Sequence, residues 1–159
     1  MQKKHFTVFA KNGNYYDWKF TENIGTDDYG NKTYIHVEMP SGDVTLIDCR
    51  YMTDYNFAST SVKALTDYYG KNLVTLYDHD IYNLLRYKAF TRKSKEPHEW
   101  IFIQPKQDPN FLICSGPDRS LFDVKPSRVS NFSDLTLYCK DFLANHYGPD
   151  FVCAVITAI

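Results

Sequence analysis

The feature that most constrains this chain is a helix–glycine–strand unit written between Ser133 and Ile159. Leu135, Tyr138, Phe142 and Leu143 recur at i, i+3, i+7 and i+8, so they line one face of a helix. Ser130 or Ser133 can accept a hydrogen bond from a free amide of the first turn, and Asp134 suits the positive end of the helix dipole. Gly148 can take the left-handed conformation that closes a helix, and Pro149 cannot continue one. The run Phe151-Val152-Cys153-Ala154-Val155-Ile156 is apolar on both faces, as a central strand is.

The same pattern is written earlier. Val62 to Val74 echoes Lys140 to Val152, with Tyr69-Gly70 matching Tyr147-Gly148, Asn72 matching Asp150, and Leu73-Val74 matching Phe151-Val152. Two readings fit: the ordinary recurrence of any helix–glycine–strand unit, or a pseudo-repeat of two such units sharing one sheet. Under both, two helices each feed a strand.

The first fifty residues read differently. Phe6 and Val8 share one face of a strand, and Asn12-Gly13 is a strong hairpin turn signal. Tyr16, Trp18 and Phe20 share a face of the returning strand. Residues 23–31 read as a polar loop. Thr33, Ile35, Val37 and Met39 alternate again, Pro40 to Asp43 turns the chain, and Val44 to Cys49 returns it. This is an antiparallel meander. Ser59 or Ser61 is expected to start the first helix. The spacing of Ile81, Leu84, Leu85 and Lys88 predicts another helix, capped by Asp78 or Asp80. Residues 91–98 read as a loop, and Trp100–Gln104, Phe111–Cys114 and Leu121–Val124 as strands. The expected fold is therefore α+β: a single domain over 1–159, with a meander over 1–50 continuing into a mixed sheet over 51–159. About three helices are expected to pack it.

Residues 1–80 hold 8 Lys+Arg against 11 Asp+Glu, and residues 81–159 hold 10 against 8. So mild a polarity argues against wholesale binding to DNA or membrane, and against a mimic of DNA. Cys49, Cys114, Cys139 and Cys153 sit in apolar runs with no C-x-x-C pair, so reduced buried thiols are expected. Lys3-Lys4 is followed by no long apolar core, and no run is long enough to span a bilayer, so a cytoplasmic protein is expected.

Three patterns touch on catalysis. Cys114-Ser115-Gly116-Pro117-Asp118-Arg119 resembles the cysteine-phosphatase loop. It has four residues between cysteine and arginine where that loop has five, and Ile113 replaces its histidine. A strand end followed by a Gly-Pro turn accounts for it better. Pro117-Asp118 with Asp123-Val124-Lys125 spells the PD-(D/E)xK nuclease letters, in which two carboxylates hold Mg²⁺ and a lysine polarises water. The gap between its carboxylates barely permits a turn, and a solvated turn with an edge strand is the plainer reading. The five histidines are scattered, with no pair spaced to hold one metal. Asp78-His79-Asp80 needs distant partners to become a site. No metal, cofactor or catalytic set is expected.

The remaining concentration of chemistry is Arg86 to Lys95, in which five of ten residues are cationic and Tyr87 and Phe90 are interleaved. Such a segment can hold phosphates or meet an acidic surface on a protein partner. Glu96 and Glu99 blunt its field, which argues against a nucleic-acid groove. The expected contact residues are Arg86, Tyr87, Lys88, Arg92, Lys93, Lys95 and Trp100; a solvated charged loop is the plain alternative.

In size and character over its whole length, a near-neutral, aromatic-rich chain without a catalytic set, this sequence looks like the type II anti-CRISPR proteins of phages and mobile elements. That resemblance implies stoichiometric binding to Cas9 in the host-cell cytoplasm. Without the acidic surface of a DNA mimic, the implied action is to wedge a nuclease domain such as HNH away from its target strand. The alternatives are a metal-dependent nuclease on Asp118, Asp123 and Lys125, and a small-ligand binder with an aromatic pocket.

Overall fold

A computed structural model describes residues 2–27, 30–118, 121–124 and 132–157. The hairpin signalled by Asn12-Gly13 is present. Strand β1 (Lys3–Ala10) turns through Gly13, at φ 84°, into β2 (Tyr15–Asp27). The Asn12 side chain accepts from the amide of Asn14 at 2.9 Å. β3 (Gly30–Glu38) and β4 (Val44–Asp48) complete the meander. The expected loop over 23–31 is largely strand: Asn23 pairs with Tyr34 and Gly25 with Lys32. Pairing to a partner strand overrides the polar composition there.

Helix α1 (Phe57–Tyr69) follows. Its N-cap is Asn56, whose side chain accepts from the Ser59 amide at 2.9 Å; neither Ser59 nor Ser61 starts it. Gly70, at φ 53°, closes the helix. One 3-10 turn (Gly70–Asn72) leads to β5 (Leu73–Asp78). β5 pairs antiparallel with β1, giving a sheet in the order β4-β3-β2-β1-β5.

The chain then builds a second compact unit from Ile81 onward. Its elements are β6 (Tyr82–Thr91), β7 (His98–Pro105), β8 (Leu112–Ser115), β9 (Leu121–Val124), α2 (Phe132–Tyr147) and β10 (Phe151–Thr157), with a 3-10 turn (Gly148–Asp150) before β10. The sheet order is β10-β6-β7-β8-β9. The helix expected over 81–88 is strand β6. Leu84 and Leu85 are both buried, so the run is apolar on both faces and mimics helical spacing. The α+β class holds, but as two antiparallel five-stranded sheets with two α-helices among the described residues, in place of one mixed sheet with about three.

The two units share one plan: four antiparallel strands, a helix, a glycine stop, a 3-10 turn, and a fifth strand back beside the first. Matching positions recur in detail. Phe57, Ser61 and Leu65 are the buried stripe of α1, as Leu135, Cys139 and Leu143 are of α2. Trp18 opposes Phe6 as Trp100 opposes Tyr87. The amide of Lys11 donates to Asn72 as that of Arg92 donates to Asp150, both at 2.9 Å. A register shift skips Val74 in β5 and Val152 in β10. The echo read from the sequence is thus half of a whole-unit repeat, carried on two separate sheets.

In each unit the helix covers an aromatic sheet face. Phe6, Val8, Trp18, Phe20, Ile35 and Val37 meet Phe57 and Leu65 in the first. Tyr87, Ala89, Trp100, Phe102, Leu112 and Cys114 meet Leu135, Cys139 and Leu143 in the second. Each large side chain so buried contributes roughly 1.5–3 kcal/mol.

Candidate functional site

The expected contact residues divide by strand alternation. Tyr87 and Trp100 are core side chains, 1% and 3% exposed, and are corrected out of the contact surface. They face α2: the Tyr87 ring meets Phe102 edge-on, and the Trp100 indole N–H donates to the Tyr147 hydroxyl at 2.9 Å. Arg86 is half-buried. Lys88 is exposed on the sheet face opposite α2, and Arg92, Lys93 and Lys95 are exposed in the connection to β7.

Two of these cations have a built setting. Arg92 and Lys93 line a cleft of about 330 Å³ with Tyr147, Pro149 and Asp150. Asp150 holds the connection in place: its carbonyl accepts from the Arg92 amide, and its carboxylate from the Lys93 amide at 3.0 Å. The cationic side chains are thereby presented outward from a fixed backbone.

The cleft ends at Asp150, the residue before β10. Among the described strands, β10 pairs only with β6, so one side of it is an open edge. Val152, Val155 and Ile156 are 44–56% exposed along that edge. Val155 lies in register with Lys88 and Cys153 with Phe90, itself partly exposed. An apolar open edge is a ready template for strand addition by a partner chain, and Lys88 lies one strand in from it, on β6.

The other candidates fall as follows. Cys114 is fully buried, and burial pushes its thiol up to about 12, opposite to the lowered thiol that a phosphatase nucleophile needs. A Cβ at Gly116 would come 3.2 Å from the Trp100 ring, so close approach to the core accounts for that glycine. Asp118 is exposed in the turn before β9, and Asp123 is exposed on β9 opposite Ile113. Arg119 and Lys125 lie outside the described residues.

In the first unit, the place matching the Tyr147 cleft is a larger one of about 480 Å³. Tyr16, Trp18, Met39, Pro40, Tyr68 and Tyr69 give it aromatic and apolar walls, with Asn12 and Asn72 at its polar side. The Trp18 indole N–H donates to the Tyr69 hydroxyl at 2.7 Å, and Tyr16 stacks on Tyr69.

Sequence reasoning missed one cluster. His5, Asp17 and His79 come together across β1, β2 and the end of β5, with potential ligand atoms within 4.8 Å of one another. The histidines are scattered along the chain but not in space. Strand alternation puts His5 and Thr7 on one face, and the hairpin sets Thr7 opposite Asp17. That much was readable; the β1–β5 pairing that delivers His79 was not.

No protein-family profile, no curated protein and no solved structure matches the chain.

Proposed function

We propose that this chain is a non-catalytic binding protein that obstructs a protein partner through the second unit. The observation that carries the reading is the nearness along the chain of two features. The cleft holding Arg92 and Lys93 ends at Asp150, one residue before β10, and among the described strands β10 pairs on one side only and exposes Val152, Val155 and Ile156. A partner strand adding to that edge gains backbone hydrogen bonds, and acidic side chains on it meet Arg92, Lys93 and Lys88. The whole-chain resemblance to anti-CRISPR proteins supplies the partner class, a Cas9-like nuclease in the cytoplasm, with its HNH domain as the part held away. Titrating the chain into a Cas9 cleavage reaction tests this. The reading expects inhibition complete at a fixed molar ratio and unaffected by added Mg²⁺; cleavage that continues at large excess counts against it.

A second reading, a small-ligand-binding module, is favoured by the 480 Å³ aromatic cleft of the first unit. It expects an aromatic or proline-like ligand to quench the fluorescence of Trp18, and Tyr68→Ala to abolish that quench.

A further inference from the structure

We propose that His5, Asp17 and His79 form a binding site for a divalent transition-metal ion, with zinc as the ion its ligands fit best. Two imidazoles and one carboxylate are a common three-ligand zinc set that leaves a fourth position for water or another donor.

The geometry is close to assembled. His5 Nε2 lies 3.5 Å from Asp17 Oδ1. Tetrahedral zinc with bonds of about 2.0–2.1 Å holds its ligand atoms roughly 3.3–3.4 Å apart. The backbone amide of His79 donates to the His5 carbonyl at 3.0 Å, which fixes the two residues side by side. Their rings stack at 3.7 Å between centroids and 9° between planes, so one ring must turn out of the stack for both to bind a single ion in plane.

His5 Nε2 is buried and has no hydrogen-bond partner among the described residues. A buried polar nitrogen left unmatched carries a desolvation penalty, which a bound cation removes.

Neighbouring groups support the set. The Thr7 hydroxyl lies 2.7 Å from Asp17 Oδ1 and 2.8 Å from His79 Nε2, between the two. Thr7 is fully buried, so its hydroxyl positions these groups and is shut off from a substrate. Lys4 holds Asp78 at 2.7 Å and Asp80 at 3.0 Å, which keeps these flanking carboxylates off the cluster. The side chains of His5 and Asp17 are 22% and 27% exposed, open enough for an ion to enter.

The repeat supplies an internal contrast. The positions of the second unit that match His5, Asp17 and His79 are Arg86, Glu99 and Thr157. Where the first unit has two histidines and an aspartate, the second has a fixed organic cation and a glutamate. Each set pairs an acid with a place for positive charge, and only the first can take that charge from a metal.

Calorimetric titration of zinc chloride into the full reduced chain tests the site. The expected result is one equivalent bound, unchanged in Cys153→Ser and weakened roughly 100-fold or more in His5→Gln and His79→Gln. Cobalt should add visible d–d absorption that zinc displaces. Variant folding is judged by circular dichroism in EDTA. If a histidine variant fails to fold, the ring signals of His5 and His79 in the wild-type ¹H–¹³C spectrum decide, since zinc must shift both. Absence of binding at millimolar zinc, full retention in the double variant His5→Gln/His79→Gln, or unmoved ring signals would overturn the proposal.

Discussion

Trp18 and Tyr69 are joined by a 2.7 Å hydrogen bond from indole to hydroxyl, and the matching pair Trp100 and Tyr147 is joined at 2.9 Å. Each bond ties the second strand of a unit to the last residue of its helix, just before the closing glycine. Both indoles are buried, at 4% and 3% exposure. Removing either hydroxyl leaves a buried donor unmatched, at a cost of roughly 1–3 kcal/mol. Tyr69→Phe and Tyr147→Phe should therefore destabilise by similar amounts in urea unfolding. A neutral result at one of them breaks the equivalence of the two units.

Gly70 and Gly148 stand at φ 53° and 59°, and a Cβ at either meets nothing within 4 Å. The penalty for alanine is then conformational and not steric. Gly70→Ala and Gly148→Ala should each cost roughly 1–2 kcal/mol in thermal or urea unfolding.

These glycines mark what was legible in the sequence. Helix–glycine–strand units, the Asn12-Gly13 hairpin and the alternation of Phe6, Val8, Trp18 and Phe20 depend on neighbouring residues alone, and each is present in the fold. The strand β6 was illegible because Leu84 and Leu85 are both buried, so period 2 was erased. The whole-unit repeat was hidden because, beside matches such as Trp18 with Trp100 and Leu65 with Leu143, other matching core positions conserve burial and not residue type: Phe6 stands for Tyr87, Ser61 for Cys139, and Ile35 for Leu112. The basic segment was visible as charge, but strand alternation sends Tyr87 inward and Lys88 outward.

Glu22 and Gln104 occupy matching buried positions. The Tyr55 hydroxyl donates to the Glu22 carboxylate, and Gln104 instead accepts from Asn83 and donates to the Pro109 carbonyl. Glu22→Gln keeps an acceptor for Tyr55 and should cost under about 1 kcal/mol. Tyr55→Phe strands the carboxylate and should cost roughly 1–3 kcal/mol or more. Urea unfolding of the two variants checks the order.

The thiols predict both reactivity and alkaline behaviour. Burial raises Cys114 from 9.0 to about 12, and raises Cys139 as well. A thiol with a raised folded value holds its proton longer folded than unfolded. Its contribution to stability is full below about pH 9 and is lost as pH rises toward 12. Stability should therefore decline above pH 9, and less steeply in Cys114→Ala, where this linkage is gone. A disulfide reagent at neutral pH should modify exposed Cys153 quickly, and Cys49, Cys114 and Cys139 only as the chain unfolds.

The central claim is that the chain binds a protein partner through Arg92, Lys93 and the β10 edge. It is tested most directly by the affinity of the purified chain for guide-loaded Cas9, measured beside the double variant Arg92→Glu/Lys93→Glu. Both side chains are exposed, so the variant should keep the wild-type fold and melting temperature. The account predicts a one-to-one complex for the wild type, weakened about tenfold or more in the variant, with a smaller salt dependence. No complex with the wild type, or equal affinity for the two, would contradict it.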